Sequence, residues 1–515
     1  MLTEPAPRHG QTGEPAPPLP LTDLDWDAGR TGGFAHQAAD LFAELVERLP
    51  GLPVARAWEQ EDVERAMSRD VPDQPMPEPE LLAYLREMLF EYATYCGHPR
   101  FMAYITGTGT VPGAVADMLA AGVNMNAGGW RLGPAAVEVE LALLRWFADQ
   151  FGLPATAGGL MTSGGAMANF VALKVARDVK ASWDVRHQGV AAGPPMTLYA
   201  SEEVHVVTDR AADMLGLGVD AVRKVPVDEG LRLRPDALRE AIARDRDVGA
   251  MPFAVVATAG TVTTGAIDPL SQIAEICAEQ NLWFHVDGAY GGPAVLAEDL
   301  RPLFDGIERA DSIAFDPHKW LYTPHSGGCV LIREGTYQAV AFLVAPSYIH
   351  VEEERAGQGV DLGGLGPQFS RGFQALKVWV SLLAHGRLAY AARISHDAAL
   401  ARYMGARVDA HPELELAAPV GLSICCFRYA PPGLPPGAED YVSRLNERLM
   451  GRIQQDGRAY CSNAFLDGKW ALRACIVNFR TEAPDVDALL DVAVEHGRRL
   501  DAETRPQALR AAGSS

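Results

Sequence analysis

In the first hundred residues apolar positions recur at helical spacing. Leu41, Leu45 and Leu49 share one face of the segment 34–49, and Pro50-Gly51 stops it. A second segment opens after Glu78-Pro79 and carries Leu81, Leu82, Leu85 and Leu89. No strand-like run accompanies these two helices, so their apolar stripes are expected to pack on another surface, such as a partner subunit. Near residue 100 the pattern changes. Helical periodicity at 137–151 and 166–177 is followed by short apolar runs at 197–200, 253–258, 282–286, 313–315 and 328–332, with a further helix at 270–280. Strand–helix alternation of this kind predicts an α/β protein with a mostly parallel sheet covered on both faces. After a long helix predicted over 373–388 the pattern restarts. A run at 424–429, a Pro/Gly-rich loop at 430–437 and a run at 472–479 predict a small C-terminal α/β domain. The expected organisation is a disordered tail (1–20), a helical segment that packs a dimer (21–100), a large domain (101–385) and a small domain (386–515).

Composition narrows the function classes. The chain has 515 residues, 48% of them hydrophobic, enough for a large core in two or three structural units. Forty-five basic against 66 acidic side chains give a net charge of −21. With no basic run, nucleic acid and anionic membranes are poor partners. Seven scattered cysteines form neither a CxxC pair nor a zinc spacing, as expected in a reducing cytosol. The Pro-rich start lacks a signal-peptide pattern, and no apolar run nears the roughly 18 residues of a membrane span. A soluble cytoplasmic protein is expected, without a metal site.

The chemistry sits at the ends of the predicted strands. Asp316-Pro317-His318-Lys319-Trp320 follows the apolar run Ser312-Ile313-Ala314-Phe315, and a lysine at the mouth of a buried strand is poorly hydrated. A neutral amine there can condense with a carbonyl cofactor. Thirty-two positions upstream, Trp283-Phe284-His285-Val286-Asp287 ends in a carboxylate. Pyridoxal phosphate (PLP) needs both groups: a lysine for its aldehyde and a carboxylate that keeps its ring nitrogen protonated. His205 follows the strand ending at Ala200, and Thr258 closes another. Thr162-Ser163-Gly164-Gly165-Ala166 precedes a helix, where small residues let backbone N–H groups approach a phosphate. In an open parallel sheet ligands gather at this edge. Singly, each of these residues has an ordinary structural explanation; jointly they match one cofactor.

With these blocks, and with His98-Pro99-Arg100-Phe101, Pro134 to Glu140 and Phe369 to Trp379, the chain resembles the group II PLP-dependent amino-acid decarboxylases, the family of aromatic L-amino acid decarboxylase. The resemblance spans about residues 30–500. It implies the fold type I (aspartate-aminotransferase-like) architecture, a homodimer with active sites at the interface, and decarboxylation of an L-amino acid, aromatic by preference, to its amine and CO2. By the same resemblance Lys319 bonds the cofactor aldehyde, Asp287 pairs with the ring nitrogen, and His205 stacks on the ring. Thr258 and Ala289 pack beside the ring, Gly165 and Ala166 offer backbone to the phosphate, and His318 lies close to it. Tyr348, 29 positions beyond Lys319, opens a Gly-rich segment through Gly366 that corresponds to a catalytic loop whose tyrosine delivers a proton after CO2 leaves. Relatives with phenylalanine there make aldehydes. Two residues depart from the pattern: Ala166 replaces a frequent serine, and Gly372 stands where many relatives carry arginine.

The substrate pocket is expected to draw on Tyr104, Asn126, Gly128 and Trp130. Asn126 and Gly128 replace bulkier apolar residues, so a wider, more polar pocket is expected. The alternatives are a polar or non-proteinogenic substrate, an aldehyde synthase or aminotransferase, and a silent PLP-fold binding protein.

Overall fold

The computed structural model describes residues 24–343 and 359–510. Within these the chain divides into two compact units. The first holds the helices Ala28–Arg48, Gln60–Met67 and Glu78–Glu91. Ala28–Arg48 buries no residue fully. Polar contacts tie it to Glu78–Glu91: Arg86 and Arg48 both bind Glu44, and their charges hold its carboxyl down to about 2. Arg30 bridges to Glu78 at 2.5 Å.

The second unit contains two sheets. In chain order its strands are β1 (Phe101–Met102), β2 (Gly158–Thr162), β3 (Met196–Ser201), β4 (Val222–Val225), β5 (Met251–Thr258), β6 (Trp283–Asp287), β7 (Ser312–Phe315), β8 (Gly328–Ile332), β9 (Leu414–Leu416), β10 (Ile424–Tyr429), β11 (Tyr460–Leu466) and β12 (Lys469–Cys475). The larger sheet has seven strands in the order β2-β8-β7-β6-β5-β3-β4. Pairing is parallel from β4 through β7, and β8 alone runs against its neighbours. The mostly parallel sheet is therefore present. The central strands β5, β6 and β7 are buried on both faces, which explains their apolar runs. Val255, Ala257, Phe284, Val286, Ile313 and Phe315 face one core, under the helices Pro134–Phe151 and Leu270–Gln280. The alternate residues Ala254, Val256, Trp283 and Ala314 face the other core, with the helix Gly165–Lys180.

The smaller sheet is ordered β1-β11-β12-β10-β9. Its core of Cys425, Phe427, Leu472 and Ala474 is closed by the helices Arg387–Asp409, Glu439–Asp456 and Ala483–Thr504. Phe101 and Met102 join it from far upstream, pairing with Tyr460 and Cys461. Two expectations need correction. The single helix over 373–388 is two, Ala375–His385 and Arg387–Asp409, because Gly386 adopts a left-handed φ of 75° between them. The strand expected over 472–479 is Lys469–Cys475 and ends four residues earlier. No helix among the described residues is long and apolar enough to cross a membrane.

Candidate active site

The carboxyl ends of β3, β5, β6 and β7 open on one cavity of about 700 Å³, next to the turn between β2 and the helix Gly165–Lys180. Lys319 reaches it from the turn after β7. Its Nζ lies 2.9 Å from Asp316 Oδ2, a carboxylate only 2% exposed, so the amine is held by one buried partner. Asp287 ends β6, buried, with Oδ1 accepting the N–H of Ala289 at 3.0 Å. Thr258 ends β5 directly opposite Asp287 in the parallel register. Its N–H is fixed by Asp268 Oδ2 at 2.8 Å, a fully buried carboxyl whose pKa burial pushes up to about 6.

His205 lines the same cavity, and its Nδ1 accepts the N–H of Val207 at 3.2 Å. Nε2 therefore carries the ring proton. Burial pushes the His205 pKa below its ordinary value; Asp287 opposes this and Lys319 adds to it. His318 donates through Nδ1 to the carbonyl of Gly327 at 2.5 Å, and burial likewise lowers its pKa. Gly165 and Ala166 form the first turn of their helix on the cavity wall. A Cβ on Gly165 would lie 2.8 Å from Asp316 Oδ2 and 3.2 Å from the Ala289 Cβ, so this approach requires glycine.

The predicted cofactor residues Lys319, Asp287, His205, Thr258, Gly165, Ala166, Ala289 and His318 thus meet in one place. Tyr104 joins them on the rim, half-exposed at a φ of 54°. Asn126, Gly128 and Trp130 do not line this chain's cavity. Asn126 Oδ1 is spent on the N–H groups of Gly128 (2.9 Å) and Arg371 (3.1 Å), and so offers that acceptor to no substrate. Gly128 admits the Phe369 carbonyl, which would meet a Cβ at 2.1 Å. Trp130 binds Asp361 through its N–H and Glu138 through its indole, each at 2.9 Å. Tyr348 lies outside the described residues, as does most of the segment 346–366.

Sequence reasoning missed part of the wall. Ser462, Asn463 and Phe465 of β11 line the cavity, as does Arg473 of β12. Arg473 is buried and donates to the carbonyls of Tyr104 (3.0 Å) and Thr263 (3.1 Å). An arginine amid the apolar run of β12 was the available signal, since buried guanidinium groups require partners. Thr258 Oγ1 and Asp316 Oδ1 are buried on the wall without a hydrogen-bond partner among the described residues. Orphaned polar atoms beside an amine, a carboxylate and a glycine turn fit a polar, phosphate-bearing cofactor.

Residues 61–430 match the model of the pyridoxal-dependent decarboxylase conserved domain. The chain belongs to this family. It is 35% identical over 464 residues to an aromatic-L-amino-acid decarboxylase of Bacillus atrophaeus, covering 90% of this chain and 95% of that one. A phenylacetaldehyde synthase of Arabidopsis thaliana is 27% identical over 482 residues, 92% of this chain and 97% of the other. Among solved structures, Oryza sativa TDC with PLP and tryptamine superposes with a TM-score of 0.87 at 26% identity, covering 93% of this chain and all of that one. The protein is accordingly a PLP-dependent amino-acid decarboxylase of the fold type I architecture.

Proposed function

We propose that this decarboxylase acts on an aromatic L-amino acid and releases the corresponding amine. The observation that carries the reading is the convergence of Lys319, Asp287, His205 and the Gly165 turn on one cavity, in a chain so similar to an aromatic-L-amino-acid decarboxylase. In this proposal Lys319 holds the cofactor aldehyde, Asp287 the ring nitrogen, His205 the ring face, and the backbone of Gly165 and Ala166 the phosphate, with His318, Thr258 and Ala289 beside them. Bound there, the cofactor supplies an electron sink for the pair left when the bond to the carboxylate breaks.

The protein's own groups do the rest. Asp287 is buried and accepts the Ala289 N–H through Oδ1, which leaves Oδ2 as the acceptor that would hold a proton on the ring nitrogen of a bound cofactor. Asp316 keeps the Lys319 amine at the strand mouth, where it would bond the cofactor aldehyde. His205, neutral with its proton on Nε2, offers one donor toward the cavity. Tyr348 is assigned as the proton donor to the substrate carbon, the role that the family resemblance implies. Tyr104 and the β11 edge form the walls for the side chain.

We further infer a homodimer. The helix Val111–Val123 exposes Val111, Val115, Met118 and Leu119 at helical spacing and packs against Ala375–His385, which exposes Leu383. An apolar stripe of this length is a surface for a second copy. Asn126, Gly128 and Trp130 follow it between exposed Val123 and Leu132, so their assignment to substrate is to the partner's cavity. Residues 101–385 are taken as the cofactor-binding domain and 386–515 as the small domain. All seven cysteines are free thiols, in keeping with a cytoplasmic enzyme.

The test is a panel of L-amino acids, including L-DOPA and 2,4-diaminobutyrate, incubated with PLP-loaded enzyme and followed by mass spectrometry. Amine from tyrosine, tryptophan, phenylalanine or L-DOPA supports the reading. Turnover confined to polar substrates, or aldehyde with ammonia in place of amine, overturns it.

A further inference from the structure

Beneath the cavity a buried chain of hydrogen bonds joins β6, β7 and the helix Gly165–Lys180. Trp283 Nε1 lies 2.8 Å from Ser312 Oγ, which lies 2.8 Å from His285 Nδ1. His285 Nε2 lies 2.7 Å from Asn169 Oδ1, and Asn169 Nδ2 lies 2.8 Å from the carbonyl oxygen of Gly165. Asn169, His285 and Ser312 have no exposure to solvent.

With a neutral imidazole the donors and acceptors admit one assignment. A carbonyl only accepts, so Asn169 presents its amide N–H to Gly165 and its oxygen to His285. His285 Nε2 must then carry a proton. Its Nδ1 is bare and accepts the Ser312 hydroxyl, whose oxygen accepts the Trp283 indole N–H. Burial lowers the imidazole pKa to about 4, so the ring is neutral, and its tautomer is set by Asn169.

We propose that His285 and Asn169 are positioning residues that lock the phosphate-cradle turn at Gly165 to the strand bearing Asp287. His285 and Asp287 lie two positions apart on β6, on the same face of the strand. Asn169 itself reaches the cavity wall. The distance between the phosphate end and the ring-nitrogen end of the site is set by these bonds. Neither residue touches the reacting carbon; they fix where the two cofactor anchors stand relative to each other.

The inference rests on the cofactor placement proposed above. The test measures PLP retained by the holoenzyme in equilibrium dialysis against graded PLP, without reference to turnover. Asn169→Leu and His285→Leu are each expected to weaken PLP binding about 10-fold, the order of a lost buried hydrogen bond. His285→Gln keeps an amide N–H for Asn169 and is expected to restore most of the affinity. The double variant Asn169→Leu/His285→Leu is expected to bind no more weakly than either single variant, because both break one chain. Losses that multiply in the double variant, native affinity in His285→Leu, or failure of His285→Gln to recover affinity would overturn the positioning role. Lys319→Ala is dialysed alongside. If it kept the absorbance of lysine-bound cofactor, the placement itself would fail, a result distinct from any outcome of the cycle.

Discussion

Gly165→Ala adds a single methyl group where the site has no room for one. Gly165 has no left-handed backbone that alanine would resist, so the effect comes from contact alone. The new Cβ would stand 2.8 Å from Asp316 Oδ2 and 3.2 Å from the Ala289 Cβ. Asp316 is buried and holds the Lys319 amine at 2.9 Å, so its carboxylate cannot swing into solvent. Either the helix start moves away from the phosphate position or the Asp316–Lys319 pair opens. Overpacking of a rigid site costs about 1–3 kcal/mol. If that cost falls on the cofactor-competent form, PLP affinity drops by roughly 5- to 150-fold. The assay is titration of the variant with PLP, following the absorbance of the lysine-bound cofactor. A cycle with Asp316→Ser locates the cause, since removing the carboxylate removes the clash and the two losses should be less than additive. Native affinity in Gly165→Ala, or strict additivity in the cycle, would refute the reasoning.

Three more outcomes are expected. His285 is fully buried with a pKa of about 4, so the unfolded chain takes up a proton below its ordinary pKa near 6.5 and the folded one does not. Stability should fall as pH drops from 6.5 to 4, by up to about 3 kcal/mol, and urea melts of His285→Gln should lack that component. Asp397 has the opposite sign: burial raises its pKa to about 8, above the pull of the Tyr322 and Trp320 donors, so the folded state holds a proton that the unfolded chain releases. Its contribution is lost as pH rises toward 8, and Asp397→Asn should melt higher than the parent at pH 9. Tyr348→Phe in aerated buffer is expected to divert product from amine to aldehyde, consuming O2 and water and releasing ammonia and peroxide, detected by mass spectrometry and a peroxidase-coupled assay; unchanged amine output would remove Tyr348 from its assigned role.

The sequence was most readable where a feature is local. The runs of β5, β6 and β7 are apolar because both faces are covered, and the reactive residues either end them, as Thr258 and Asp287 do, or follow within four positions, as Lys319 does. β2 gave no strand signal because GGLMT opens with two glycines, and β11 gave none because Ser462-Asn463 interrupts its apolar run. Non-local pairings left no mark. Nothing near Asn169 announces His285, 116 residues away, and nothing near Tyr104 announces Arg473. The same holds for Asn126, whose Oδ1 holds the backbone of Arg371, and for Gly128, which admits that of Phe369.

The most direct test of the account is the stoichiometry of CO2 and amine released from one accepted L-amino acid by PLP-loaded enzyme and by Lys319→Ala in parallel. The account predicts one amine per CO2 from the parent and no turnover from the variant. Turnover surviving the loss of Lys319, or CO2 released without amine from the parent, would contradict it.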